Sequence, residues 1–257
     1  MHNKKSDGFT NPQDWNSYYG KDHLERSNIP TYMISILNKE VWCYKPGKLF
    51  ELGCGSSLYL AKSALSGWEV SGIDFNKKAI ESLKNYLQNK GVKFGHLIFK
   101  DVFDYDCTLL ANKYDFLVSF GFLEHFRNPE NILRRWCVIL KPGGRVISVI
   151  PNLMSLNAKL LKRYNFQLWR KHIIITPLQF DRMHLDAGLR IIRPAIYTGG
   201  YDLDMLIPWN KIREKYPLFI LKLLRYFGTF IAYYFKIFFK DNHRLINPII
   251  YGVYEKK

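Results

Sequence analysis

From Lys48 to Tyr197 the chain alternates short apolar runs with amphipathic stretches. Runs at about 48–52, 68–73, 93–99, 114–119 and 144–150 have the length and the aromatic and branched content of strands. Segments at about 57–66, 76–90 and 129–140 read as helices; in the second, Ala79, Ile80, Leu83, Tyr86 and Leu87 recur at helical spacing. Pro46-Gly47 punctuates the entry to the first strand, and Leu140-Lys141-Pro142-Gly143-Gly144 reads as a helix stop feeding the fifth. Thr176-Pro177 supplies an N-cap and first-turn pair for a helix running to Gly188, and a strand over 189–197 follows. Such alternation predicts an α/β fold with a doubly wound, mostly parallel sheet. Residues 247–254 read as a last strand.

Two flanks stand outside this rhythm. Residues 1–46 form a polar, aromatic-bearing cap with Trp15, Tyr18 and Tyr19 and a helix from Pro30 to about Val41. Residues 203–245 form an insertion that interleaves aromatics with Lys and Arg. The central domain is then 47–202 together with 246–257. The longest uncharged run of the insertion, Tyr226 to Phe235, is far shorter than the ~18 residues a membrane span needs.

Chemistry concentrates at the first crossover. The strand ending Phe50-Glu51-Leu52 runs into Gly53-Cys54-Gly55, whose glycines allow a tight turn and a close approach to a ligand. A dinucleotide loop wants a third glycine, G-x-G-x-x-G, to seat a pyrophosphate, but Leu58 stands there and Glu51 overlooks the loop. A carboxylate suits a ligand bearing an amino group and a sulfonium better than a pyrophosphate. Asp74 closes the second strand 19 residues after Gly55, where an acid can accept from both hydroxyls of a ribose.

With these motifs in this order, the chain resembles the class I S-adenosylmethionine-dependent methyltransferases, in the small-molecule (type 11/12-like) branch. The resemblance covers about 47–197 and the last strand. It implies a Rossmann-like, seven-stranded sheet with an antiparallel last strand, and S-adenosylmethionine as cofactor. Carried over residue by residue, it puts Glu51 near the methionine amino group and Gly53, Cys54 and Gly55 in the cofactor loop. Asp74 and Phe75 meet the ribose, Asp101 and Val102 the adenine, and Ser119 and Phe120 line the end of the fourth strand. Tyr18 or Tyr19 closes over the cofactor. The loop after that strand, Gly121-Phe122-Leu123-Glu124-His125, lacks the Pro-Pro run of base-modifying enzymes. Some relatives place a second metal-binding glutamate where Gly121 stands, so no metal is expected.

Methyl transfer demands a positioned nucleophile and, for a hydroxyl, loss of its proton. His125 and His172 are the candidate bases, since imidazole titrates near neutrality. His184, mid-helix beside Met183 and Leu185, reads as structural.

Composition narrows the remainder. Cys43, Cys54, Cys107 and Cys137 are scattered, without metal or disulfide spacing, and no secretory h-region opens the chain; a cytoplasmic setting is expected. The net charge of +16 fits an anionic substrate, nucleic acid or an anionic membrane surface, or simply a lysine-rich exterior. For 207–240, a helix lying on the inner membrane face, a substrate lid or homodimer contact, and a hairpin packed on its own domain all stay open. The expected activity is methylation of a hydroxyl or amine on a small-molecule, glycan or lipid-linked acceptor. Alternatives are an RNA or protein methyltransferase, for which no RNA-binding module is visible, and a non-catalytic binding protein. Leu58 disfavours a nicotinamide-dependent enzyme.

Overall fold

The computed structural model describes residues 8–10, 24, 28–200, 202, 205–238 and 242–257. In chain order the main elements are α1 (Thr31–Leu37), β1 (Lys48–Leu52), α2 (Leu58–Leu65), β2 (Glu69–Asp74), α3 (Lys77–Asn89), β3 (Phe94–Phe99), β4 (Tyr114–Phe120), α4 (Pro129–Trp136) and β5 (Leu140–Pro151). There follow α5 (Leu156–Tyr164), α6 (Phe166–Trp169), α7 (Pro177–Asp186), β6 (Leu189–Thr198), α8 (Trp209–Arg213), α9 (Leu218–Phe238) and β7 (Ile249–Lys256).

The seven strands make one sheet in the order β3-β2-β1-β4-β5-β7-β6. Strands β1 to β5 pair in parallel, and β7 runs antiparallel to both neighbours. Strand order reverses between β1 and β4, and ligands of open α/β sheets bind in the crevice outside the carboxyl ends at that point.

Alternation along β1 explains why helices cover both faces. Phe50 and Leu52 join a core with Trp136, Ile150, Phe180 and Tyr254, whereas Leu49 joins the opposite one with Val41, Leu60, Leu83 and Val253. Phe50 meets Tyr114 edge-on at 5.1 Å and lies 5.2 Å from the Trp136 ring. Each such fully buried side chain contributes about 1.5–3 kcal/mol by leaving water.

Two boundaries differ from expectation. The third interior helix stops at Trp136 and a 3-10 turn covers Cys137–Ile139, so β5 begins at Leu140. The Pro-Gly-Gly run belongs to the strand itself. The register against β4 jumps from Tyr114↔Leu140 to Phe116↔Arg145, and the extra residues bulge out with Gly143 at φ +72°. Helices α5 and α6 lie between β5 and the Thr176-capped α7.

The cap and the insertion both reach the domain. Helix α1 continues as a π-helical turn over Asn38–Trp42, and buried Glu40 accepts from Arg193 Nε at 2.9 Å and from the Tyr251 hydroxyl at 2.8 Å. Gly8 bridges to Phe126, and Phe9 N donates to the His125 carbonyl at 2.9 Å. In the insertion, Leu221 packs with Ile207, Ile212, Leu160 and Tyr164, while Phe219, Leu223, Tyr226, Phe227, Phe230 and Tyr234 are exposed. Among the described residues no helix is long and apolar enough to cross a membrane.

Candidate active site

The glycine loop is shaped by its neighbours. Gly53 (φ +66°) and Gly55 (φ +47°) both adopt the left-handed region that penalises a Cβ. A Cβ on Gly53 would also lie 2.1 Å from Phe122 Cδ2, because that ring lies over the loop. Ser57 caps α2 by accepting from Leu60 N at 3.1 Å, and its hydroxyl donates to Glu51 Oε2 at 2.6 Å. Glu51 is thereby fixed at the end of β1, buried. Burial pushes its carboxyl well above the usual range; the Ser57 hydrogen bond partly opposes this, and the nearby Asp74 adds to it.

Asp74 ties the loop to the second crossover. Its Oδ2 accepts from Gly55 N at 2.8 Å and its Oδ1 from Asn76 N at 2.7 Å. Burial raises this carboxyl to about 6 against those hydrogen bonds. Each oxygen keeps a second lone pair, which a ribose diol can use. Among the described residues, two buried hydroxyls nearby, Ser56 Oγ in the loop and Ser119 Oγ at the end of β4, find no hydrogen-bond partner. Orphaned buried hydroxyls are costly unless something completes them. Two carboxylates, two orphan hydroxyls and a strained glycine turn fit the polar, cationic surface of S-adenosylmethionine.

The remaining expected contacts divide. Asp101 Oδ1 accepts from Phe103 N at 2.9 Å and turns the chain after β3, with Val102 buried behind it. Phe75 is half-buried beside Asp74. Phe120 packs edge-on against Tyr59 at 4.8 Å. Cys54 differs: its side chain lies against Gly72 in the core, where a Cβ on that glycine would come within 2.7 Å of its Sγ. It offers the crevice backbone only. Tyr18 and Tyr19 lie outside the described residues.

Beyond β4, a turn over Leu123–His125 buries Glu124 and His125. His125 and His172 come together, ring centroids 4.5 Å apart. His125 Nδ1 contacts the Lys171 carbonyl and His172 Nδ1 the Leu168 carbonyl, both at 2.9 Å. A carbonyl only accepts, so both Nδ1 atoms carry a proton, and Nε2 is the nitrogen that titrates in each ring. His125 Nε2 lies 3.8 Å from Glu124 Oε1, and burial drives the Glu124 carboxyl up to about 8. Burial also lowers the His172 pKa, which favours its neutral form. His184 is buried in the core instead, between Ser148 Oγ and the Phe180 carbonyl, and burial lowers it to about 3.

The methyltransferase domain family matches residues 26–193. This chain belongs to the class I S-adenosylmethionine-dependent methyltransferases. A ubiquinone biosynthesis O-methyltransferase of Aeromonas salmonicida is 26% identical over 181 residues, covering 65% of this chain and 75% of that protein. Its counterpart from Proteus mirabilis is 27% identical over 99 residues, covering 38% of this chain and 40% of that protein. The methyltransferase therefore spans about two fifths of one curated relative and three quarters of the other. Among solved structures, a Haemonchus contortus phosphoethanolamine N-methyltransferase 2 shares the fold at a TM-score of 0.61 and 14% identity, over 97% of this chain and 60% of that one.

Sequence reasoning did not single out Ser56, Ser57, Phe122 and Glu124, which the structure brings beside the expected site residues. The serines follow the glycine loop directly, a signal that was legible. Phe122 and Glu124 needed tertiary structure, because only the turn after β4 swings them back over Gly53 and toward His172. The expectation that no metal set exists rested on Gly121. One donor atom each from Glu124, His125 and His172 nevertheless lies within 4.8 Å of the others.

Proposed function

We propose that this methyltransferase moves a methyl group to a hydroxyl of a small-molecule acceptor, with His172 taking the hydroxyl proton. The observation that carries this reading is the pairing of two imidazoles, each held through Nδ1 by a carbonyl, at the carboxyl edge of the sheet beside the cofactor loop. When bound, S-adenosylmethionine supplies an electrophilic methyl on a sulfonium. Glu51 would hold the amino group, Asp74 the ribose hydroxyls, and Ser56 and Ser119 would gain the partners they lack. Phe122 and Phe126, with ring centroids 4.7 Å apart, put apolar surface beside the glycine loop. His172 then accepts the proton at Nε2, and His125 orients the acceptor hydroxyl toward it. The names of the ubiquinone biosynthesis relatives support oxygen over nitrogen as the acceptor atom.

A second reading is favoured by the convergence of Glu124, His125 and His172: the trio takes a divalent cation that lowers the pKa of an acceptor hydroxyl. Transfer of radiolabelled methyl to catechol and phenol acceptors, with and without a chelator, separates the two. Activity that survives chelation supports the imidazole base, and activity lost and restored by a divalent cation supports the metal. No transfer to any hydroxyl-bearing acceptor would refute both.

The exposed aromatic stripe of α9 and the net charge of +16 support docking of the enzyme on an anionic bilayer, where a lipid-linked acceptor would be met.

A further inference from the structure

Apart from the cofactor crevice, a pocket of about 410 Å³ opens between the exit of β5, helices α5 and α6, and the loop ahead of β7. Small-molecule sites run from ~300 to 1,000 Å³, so the space suffices for part of a substrate. Leu153, Met154, Ala158 and Ile174 give it an apolar lining. Lys159, Lys162 and Arg244 also line it, and among the described residues no acidic side chain does. Lys162 Nζ lies 4.4 Å from the centroid of the Trp169 ring, another wall residue. Among the described residues none of these three cations pairs with a carboxylate.

The walls are held in place. Asn152 Nδ2 donates to the Arg244 carbonyl at 2.7 Å and to the Asn247 carbonyl at 2.8 Å. Leu156 N donates to the Leu245 carbonyl at 3.0 Å, and Ser155 caps α5 through Ala158 N at 3.2 Å. The same stretch of chain joins the pocket to the histidine pair: Trp169 and Ile174 flank His172, and Ile173 N donates to the Glu124 carbonyl at 2.8 Å.

We propose that this pocket binds the anionic end of an amphiphilic acceptor, a phosphate or carboxylate carried on an apolar body, while the acceptor hydroxyl faces His172. Three cations gathered without a counter-charge repel one another, and an anion among them removes that repulsion. The apolar lining gives a hydrocarbon body its place and does nothing for a fully hydrated ion. The orientation of the acceptor rests on the role proposed above for His172; the binding of the anion does not.

Calorimetric titration of the full chain with decyl phosphate, decanoate, decanol and inorganic phosphate, each in the presence of S-adenosylhomocysteine, tests this. Decyl phosphate or decanoate is expected to bind at least about tenfold tighter than decanol and than phosphate alone. Their ratio tells which anion the pocket prefers. Lys159→Ala combined with Arg244→Ala should weaken the preferred ligand by about tenfold or more and leave S-adenosylhomocysteine affinity unchanged. Equal affinity for decanol and both anions, or a double variant that binds the anion as well as the parent, overturns the proposal. If His172→Ala keeps full methyl transfer while the binding results hold, the base assignment fails and the pocket stands.

Discussion

The rings of His125 and His172 lie 4.5 Å apart between centroids and are tilted by 47°. One follows the fourth strand and the other ends the α5–α6 excursion, so the contact exists only because the chain folds back over the sheet edge.

Replacing His172 with Ala should lower the rate of methyl transfer to a hydroxyl acceptor by about 10²–10⁴-fold, the usual worth of a positioned base. Cofactor affinity should not change. Since burial lowers the His172 pKa, the acidic limb of the kcat profile should fall below the ordinary imidazole value of 6.5. Single-turnover rates across pH, in the parent and in His172→Ala, check both statements. A parent-like rate in the variant would remove His172 from the reaction.

Glu51 predicts a proton released on ligand binding. Burial holds its carboxyl well above the usual range in the free protein, so it keeps its proton to higher pH than an ordinary carboxyl does. An ammonium group beside it favours the ionised form, and the proton leaves. Calorimetry with S-adenosylhomocysteine in buffers of different ionisation enthalpy, repeated from pH 5 upward, should register release above the ordinary carboxyl range. Glu51→Gln should abolish that release and weaken binding by roughly 1–3 kcal/mol. Identical heats across the buffers for the parent would contradict the assignment.

Glu124 should make the fold less stable as pH rises. Its folded pKa is raised from 4.5 to about 8, so its contribution is complete below the unfolded value and is lost as pH climbs toward 8. One proton of linkage gives a slope of about 1.4 kcal/mol per pH unit at most. Urea unfolding of Glu124→Gln should show a gain over the parent that grows between pH 5 and 8. A constant difference would mean the carboxyl is solvated.

Gly53→Ala should damage the cofactor loop twice over. The positive φ costs about 1–2 kcal/mol for any L side chain, and the new methyl would strike Phe122. Adding Phe122→Ala should restore only the steric part. Thermal shifts of the single and double variants, with and without S-adenosylhomocysteine, separate the two terms. A single variant that binds the ligand as tightly as the parent would show the loop to be more pliable than its geometry implies.

The exposed face of α9 predicts binding to anionic vesicles. Replacing Phe227 and Phe230 with Ser should reduce flotation with phosphatidylglycerol liposomes severalfold, since each phenyl ring forfeits a few kcal/mol of apolar burial. Flotation by the variant equal to the parent, or none by either, would assign the stripe to a protein contact.

The sequence alone determined the sheet, its helices and the cofactor loop, because the information is local. Apolar runs of strand length, Ala79-Ile80-Leu83-Leu87 at helical spacing, two glycines after a strand and an acid closing the next one each act through the nearest few residues. Tertiary structure decided the rest. Cys54, adjacent to both glycines, turns into the core because Gly72 on the neighbouring strand leaves room for its sulfur. Phe122 crosses to cover Gly53, Glu124 loses its solvent and shifts its proton affinity, and two distant histidines meet. Each of these outcomes depends on what another segment places alongside, and desolvation or close packing by a remote neighbour leaves no mark in the pattern of the chain itself.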